Sequence, residues 1–263
     1  MKIIKSFIKA ILYFLLYFGV QIVASIIFGV AIAVKIRMSV PMEEFDAAFA
    51  TAIERNTMLL SLITNIITIF AVWLVFKIRK RSLFSELDIK KIRLIGAVAL
   101  VVFGACMNIV MSMLLEVLPL PEAWWADYNE SASAVTSDFT IVGILAAAVL
   151  APITEELVFR GLLYRSIADG CGIWIGAVLS ALVFGIMHGS LIWAIYAAIL
   201  GFILAMIYAK TRSLLCPMLV HFGFNGVNYI ISGMTFYFVI LSFILAAVSA
   251  VMICVFNVAD AKE

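Results

Sequence analysis

Charge is what this sequence has least of: Asp, Glu, Lys and Arg make up only 13% of its 263 residues. Soluble globular chains carry about twice that share, and they are about 45–50% apolar against 66% here, so a water-soluble fold is excluded. A strong charge of one sign is lacking too. The formal net charge is +2, and the basic residues sit in short clusters between apolar blocks, which argues against nucleic acid as a partner. Cysteine is sparse: Cys106, Cys171, Cys216 and Cys254 lie in or beside apolar blocks with no CxxC spacing, and read as buried thiols that act as small hydrophobes. HExxH and GxSxG are missing, and histidine occurs twice. A short zinc-protease helix motif and a serine nucleophile elbow are thereby excluded.

Long hydrophobic runs are what the chain has. A span needs about 20 apolar residues, and blocks of that order stand at Ile11–Val34, Met58–Phe76, Leu94–Leu115, from near Phe139, at Gly172 to Met187, Leu191–Tyr208, Leu214–Ile231 and Phe236–Val258. The expectation is an all-α, polytopic transmembrane helical bundle of about eight spans, one integral membrane domain over residues 1–263, multi-pass in the cell membrane with lipid as its surroundings. The first run is too long for the h-region of a signal peptide, about 7–15 residues, and reads as a retained span. Lys2, Lys5 and Lys9 precede it, and seven more basic residues lie between Lys77 and Arg93. The connection from Glu116 to Asp138 has acidic residues and no Lys or Arg. The positive-inside rule therefore puts both termini in the cytoplasm and the acidic segment outside. Trp124, Trp125 and Tyr128 in that segment read as an interfacial belt, and Pro41–Asn56, with Phe45, Phe49 and Ile53 at helical spacing, as a surface amphipathic helix.

Polar groups inside such spans are costly and tend to face the interior of the bundle and serve a function. Glu155 lies about 24 Å along the helix that starts near Phe139. Its neighbour Glu156 shares a helix face with Arg160, four residues on, so those two can pair and leave Glu155 turned elsewhere as a candidate base. His188 closes the fifth block four residues after Phe184, and His221 lies one turn from Asn225 in the seventh. Two chemistries fit. In one, Glu155 and His188 activate a water for attack on a peptide carbonyl, with His221 and Asn225 donating to the oxyanion. In the other, Glu155, His188 and His221 hold a zinc ion that lowers the pKa of a bound water.

Glu155-Glu156-x-x-x-Arg160, Phe184-x-x-x-His188 and His221-x-x-x-Asn225, in this order, resemble the type II CAAX prenyl endopeptidases and bacteriocin-processing enzymes, also called the Abi family. The resemblance covers residues 139–232. It implies a glutamate-dependent intramembrane endopeptidase with Glu155 as general base, His188 polarising the water, His221 and Asn225 as the oxyanion site, and Glu156, Arg160 and Phe184 in support. It implies no obligatory cofactor or metal, and a peptide or membrane-protein segment as substrate. Two other classes stay open: a non-catalytic membrane immunity or scaffold protein that binds a bacteriocin or a partner protein, and a transporter whose acidic and histidine residues relay protons. Unequal depths set a condition on any shared site, because His188 lies about 24 Å into its helix and His221 about 10 Å into its own. Tilt, a buried extension of the fourth helix beyond Glu155, or a re-entrant start to the fifth would bring them together. Gly172-x-x-x-Gly176 predicts a close helix contact inside the bundle.

Overall fold

The computed structural model describes residues 1–136, 138–231 and 236–255, and these form a helical bundle. In chain order the helices are α1 (Lys2–Arg37), α2 (Phe45–Arg55), α3 (Thr57–Ile78), α4 (Leu83–Glu86), α5 (Leu94–Glu116), α6 (Glu122–Thr136), α7 (Ile141–Cys171), α8 (Ile173–Ile186), α9 (Leu191–Thr211), α10 (Leu215–Gly226) and α11 (Phe236–Val255). Among the described residues, five helices are long and apolar enough to cross a membrane: α1, α3, α5, α7 and α9. The protein is therefore an all-α, multi-pass membrane protein. Helix α8 has 14 residues and α10 has 12, fewer than the roughly 17–25 of a single-helix span. The fifth and seventh expected blocks are thus shorter as helices than as apolar runs. The expected joint Ser232-Gly233 and the chain from Phe256 onward, with the C-terminal Asp260–Glu263, lie outside the described residues.

Apolar side chains turn outward along α1, where Ile4, Leu12, Val23, Ile27 and Val30 are all more than half exposed. In a bilayer this is the favourable arrangement, because lipid solvates such side chains as well as protein does. The inward faces carry small and polar residues. Gly104 of α5 lies against the backbone of Val220 and Phe224 of α10, and Gly223 of α10 lies against Val101, so a Cβ at either glycine would meet backbone atoms. Close backbone approach of this kind is what glycine permits between membrane helices. The Gly172-x-x-x-Gly176 contact is internal, with Gly176 against Ala168 of α7. Gly172 itself, at φ 90°, makes the reversal between α7 and α8.

Helix α7 is the unusual element. Thr140 caps its start by accepting from the Gly143 N–H at 3.1 Å, and the helix then runs 31 residues, roughly 45 Å and well beyond a hydrocarbon core of about 30 Å. Residues Leu145–Leu150 and Glu156–Tyr164 are π-helical, and every residue of the second stretch is buried. This buried continuation beyond Glu155 is one of the distortions that the unequal depths of His188 and His221 called for. Its far end is tied to the basic connection between α3 and α5: Arg165 donates to Asp88 at 3.1 Å and to the Glu86 carbonyl, and Leu87 is inserted into the core. The Pro41–Asn56 segment contains a helix, α2, with Phe45, Ala48, Phe49, Ala52 and Ile53 half-buried along one face. Cys106 and Cys216 are buried free thiols and Cys171 is half-buried.

Candidate active site

Pro152 shapes the site before any catalytic group is considered. In the first π stretch the Ala151 N–H donates to the Ala146 carbonyl, five residues back. The next bond in that register would join residue 152 to the Ala147 carbonyl, but proline has no N–H to give. Asn225 of α10 fills the gap, its Nδ2 donating to Ala147 O at 2.9 Å. An otherwise orphaned carbonyl thus fixes the asparagine, and the second amide proton of Asn225 stays available to a substrate.

Glu156 organises the opposite side. Its Oε1 accepts from Arg160 Nη1 at 2.8 Å and from His221 Nδ1 at 2.9 Å, with all three residues buried. A carboxylate oxygen only accepts, so the Nδ1 proton belongs to His221 and Nε2 points away from Glu156. Nε2 lies 3.6 Å from Oε2 of Glu155. Buried charges are tolerated only in pairs, and Arg160 is also held by its guanidinium lying 4.4 Å from the centre of the Phe184 ring. Glu155, by contrast, retains 21% side-chain exposure, and that exposed part faces a cavity.

His188 stands in the turn after α8. Its Nδ1 donates to the Phe184 carbonyl at 2.8 Å, which satisfies a helix-end acceptor and fixes the tautomer with the Nε2 lone pair free. Phe184 contacts both imidazoles edge-on, at 4.7 Å from His188 and 5.9 Å from His221, and packs on Phe159 at 5.0 Å. One buried ring therefore spaces both histidines and the arginine. Trp193, set by the Ser190 cap of α9, closes the outer side of His188 at 5.5 Å.

Glu155, His188, His221 and Asn225 all line one cavity of about 410 Å³. They come from α7, the turn after α8, and α10, so three chain segments meet around a single space. For the zinc alternative, the described residues contain no group of three or more His, Cys, Asp and Glu arranged to hold a metal ion.

The cavity also includes groups that sequence reasoning missed. Tyr17 of α1 lines it beside Glu155 and meets Phe159 edge-on at 5.6 Å; one tyrosine in a lipid-facing helix gives no signal. Asn108 and Ser112 of α5 and Tyr196 of α9 form part of the wall. Asn108 could have been found as an amide within an apolar span. Tyr128 of α6 also lines the cavity, whereas Trp124 is exposed. Burial, and then the nearby Glu116 carboxylate, push the Tyr128 phenol up, so it remains a donor at neutral pH.

Comparison with known proteins bears out the family resemblance. Residues 137–227 match the family model described as type II CAAX prenyl endopeptidase Rce1-like. A protein of Bacillus subtilis (strain 168), described as "Putative membrane peptidase YdiL", is 27% identical over 82 residues, covering 31% of this chain and 34% of that protein. The chain thus spans about a third of the length of the relative it matches. No solved structure matches the chain.

Proposed function

We propose that the protein is an intramembrane endopeptidase that hydrolyses a peptide bond in a membrane-associated protein or peptide, using water activated by Glu155 and histidine. The observation that carries this reading is the shared cavity, with His221 set between a buried, hydrogen-bonded carboxylate and one that faces the cavity. Glu155 takes a proton from a water that the free Nε2 of His188 orients, and the resulting hydroxide attacks the substrate carbonyl. Oε2 of Glu155 faces Nε2 of His221, so the proton can pass to that nitrogen, giving an imidazolium whose charge Glu156 offsets. Its Nε2–H and the second Nδ2–H of Asn225 then stabilise the oxyanion. The same Nε2 proton goes to the leaving nitrogen as the C–N bond breaks. Glu156, Arg160 and Phe184 act as positioning residues: Glu156 holds His221, Arg160 holds Glu156, and Phe184, which also lines the cavity, packs against both imidazoles.

In the membrane, the proposed topology has about eight spans, with α8 and α10 completing the crossings inside the bundle and both termini in the cytoplasm. Lys2, Lys5 and Lys9, Lys77 at the end of α3 with the six basic residues of the α3–α5 connection, and Lys210 with Arg212 all fall on that side. Residues 139–232 would form the catalytic core.

The test is cleavage of candidate peptides by the purified protein in detergent, with Glu155→Ala alongside. Cleavage by the parent and none by the substituted protein supports the assignment; equal turnover by both ends it. Should the substituted protein protect cells against a bacteriocin as well as the parent does, the function is binding, as for an immunity or scaffold protein.

A further inference from the structure

The cavity has a polar wall that the hydrolytic chemistry leaves unused. Asn108 lies in the apolar run of α5, is only 7% exposed, and lines the cavity. Its side-chain amide makes no hydrogen bond to any described residue. The amide faces the cavity rather than a packed neighbour, so its donor and its acceptor are open to whatever occupies that space. Its neighbours contrast with it: Asn65 of α3, equally buried, donates to Ser61 at 3.3 Å, and Asn225 donates to Ala147.

The position of Asn108 follows from helix packing. Gly104 is the residue of α5 that lies against Val220 and Phe224, and Asn108 is one turn further along the same face. That turn brings the amide toward the end of α10, where Asn225 and, in the turn just beyond the helix, Asn228 line the same cavity. One more turn on stands Ser112, whose hydroxyl lies 3.4 Å from that of Tyr196 on α9. Three polar groups therefore run in sequence along one wall, starting beside the oxyanion donors.

We infer that Asn108, with Ser112 and Tyr196, forms a subsite that hydrogen-bonds the main chain of the substrate, so that the peptide lies in the cavity unwound and extended. This rests on the peptidase reading above. A primary amide has both a donor and an acceptor and so matches the N–H and C=O of one peptide unit. An intact helix has no such groups to offer, because its own turns satisfy them. A wall of this kind selects chain that has left the helical state, and in doing so it exposes the scissile carbonyl to the activated water.

The experiment measures binding without cleavage. Protein carrying Glu155→Gln is titrated in detergent with a fluorescein-labelled decapeptide of alternating Leu and Thr, a pattern that favours extended chain. A matched set in which each central amide in turn is replaced by an ester is titrated in parallel. Adding Asn108→Leu weakens binding of the all-amide peptide about tenfold, the effect of one lost hydrogen bond. One ester weakens binding by a similar factor when Asn108 is present and has no further effect when it is Leu. The thermal midpoint of the Asn108→Leu protein stays near that of its parent, since no hydrogen bond within the protein is lost. Asn108→Ser, smaller and still polar, weakens binding as well and serves as the second variant.

Equal binding by all three proteins overturns the subsite, as does binding by none of them, or an ester effect that is unchanged by Asn108→Leu. A lower midpoint for both variants overturns it too, by making Asn108 a structural residue. Failure of the peptidase reading shows elsewhere, as undiminished cleavage by the Glu155→Gln protein.

Discussion

Glu156 shares one oxygen between Arg160 and His221, whereas Glu155, among the described residues, has His221 at 3.6 Å as its ion-pair partner and keeps a fifth of its side chain exposed toward the cavity. Adjacent in the chain, the two carboxylates should respond differently to the same substitution. Glu156→Gln leaves the Arg160 guanidinium buried without its counter-charge, a loss of about 3–5 kcal/mol that unfolding in detergent would show as a markedly lower midpoint. Glu155→Gln removes no buried pair, so its midpoint stays near that of the parent while turnover disappears. A shared collapse of stability in both variants would contradict this division of roles. Much of it was legible in the sequence. The four-residue spacing pairs Glu156 with Arg160 and separates Glu155 from both. The bond from Glu156 to His221 was not legible, because it joins residues 65 positions apart and nothing in local periodicity reports such a contact. Asn108 shows the same limit: a polar residue in an apolar span signals function, but not what it faces.

At the scale of elements, α7 and the α5–α10 contact decide where the side chains go. Pro152 withholds the N–H that the π register would give to the Ala147 carbonyl, and Asn225 supplies the donor instead. Pro152→Ala restores that N–H and releases Asn225. The expected outcome is a fall in kcat with little change in the thermal midpoint, read from turnover and melting of the same preparation; unaltered turnover would separate Asn225 from the helix register. Gly104→Ala places a Cβ against the Val220 backbone, which has no flexible end to move aside. Helices α5 and α10 must then separate, and both the midpoint and the activity fall. The apolar runs announced these helices, since about 20 consecutive apolar residues have few other solutions. They overstated α8 and α10, because hydrophobicity marks burial in lipid or protein alike and does not say where the backbone stops being helical.

For the whole molecule, the two ends of the bundle differ in charge. Basic residues gather at the start of α1 and around α4, while Glu116, Glu122, Asp127, Glu130 and Asp138 lie at the other end. The cavity belongs to the acidic end: Ser61 stands near the start of α3, Ser112 near the end of α5, and Tyr128 and Ala132 belong to α6 itself. With the proposed orientation, substrate approaches from the outer half of the membrane. A single cysteine at Ala132, in a protein whose own cysteines are replaced by Ala, should react with a membrane-impermeant maleimide in intact cells. Reaction only after the membrane is opened would reverse the orientation. The placement of charge along the chain and hydropathy carried this much of the account. The convergence of α7, α8 and α10 on one cavity could not be read from them, because it depends on tertiary packing.

The most direct measurement is kcat/KM for a peptide that the purified protein cleaves, compared between the parent and Glu155→Gln at equal folded concentration, with the products identified by mass. The account predicts a fall of about 10²–10⁴-fold, the contribution of a positioned general base, with the folded protein otherwise intact. A well-folded Glu155→Gln protein that cleaves the same bond at the parent's rate would contradict it.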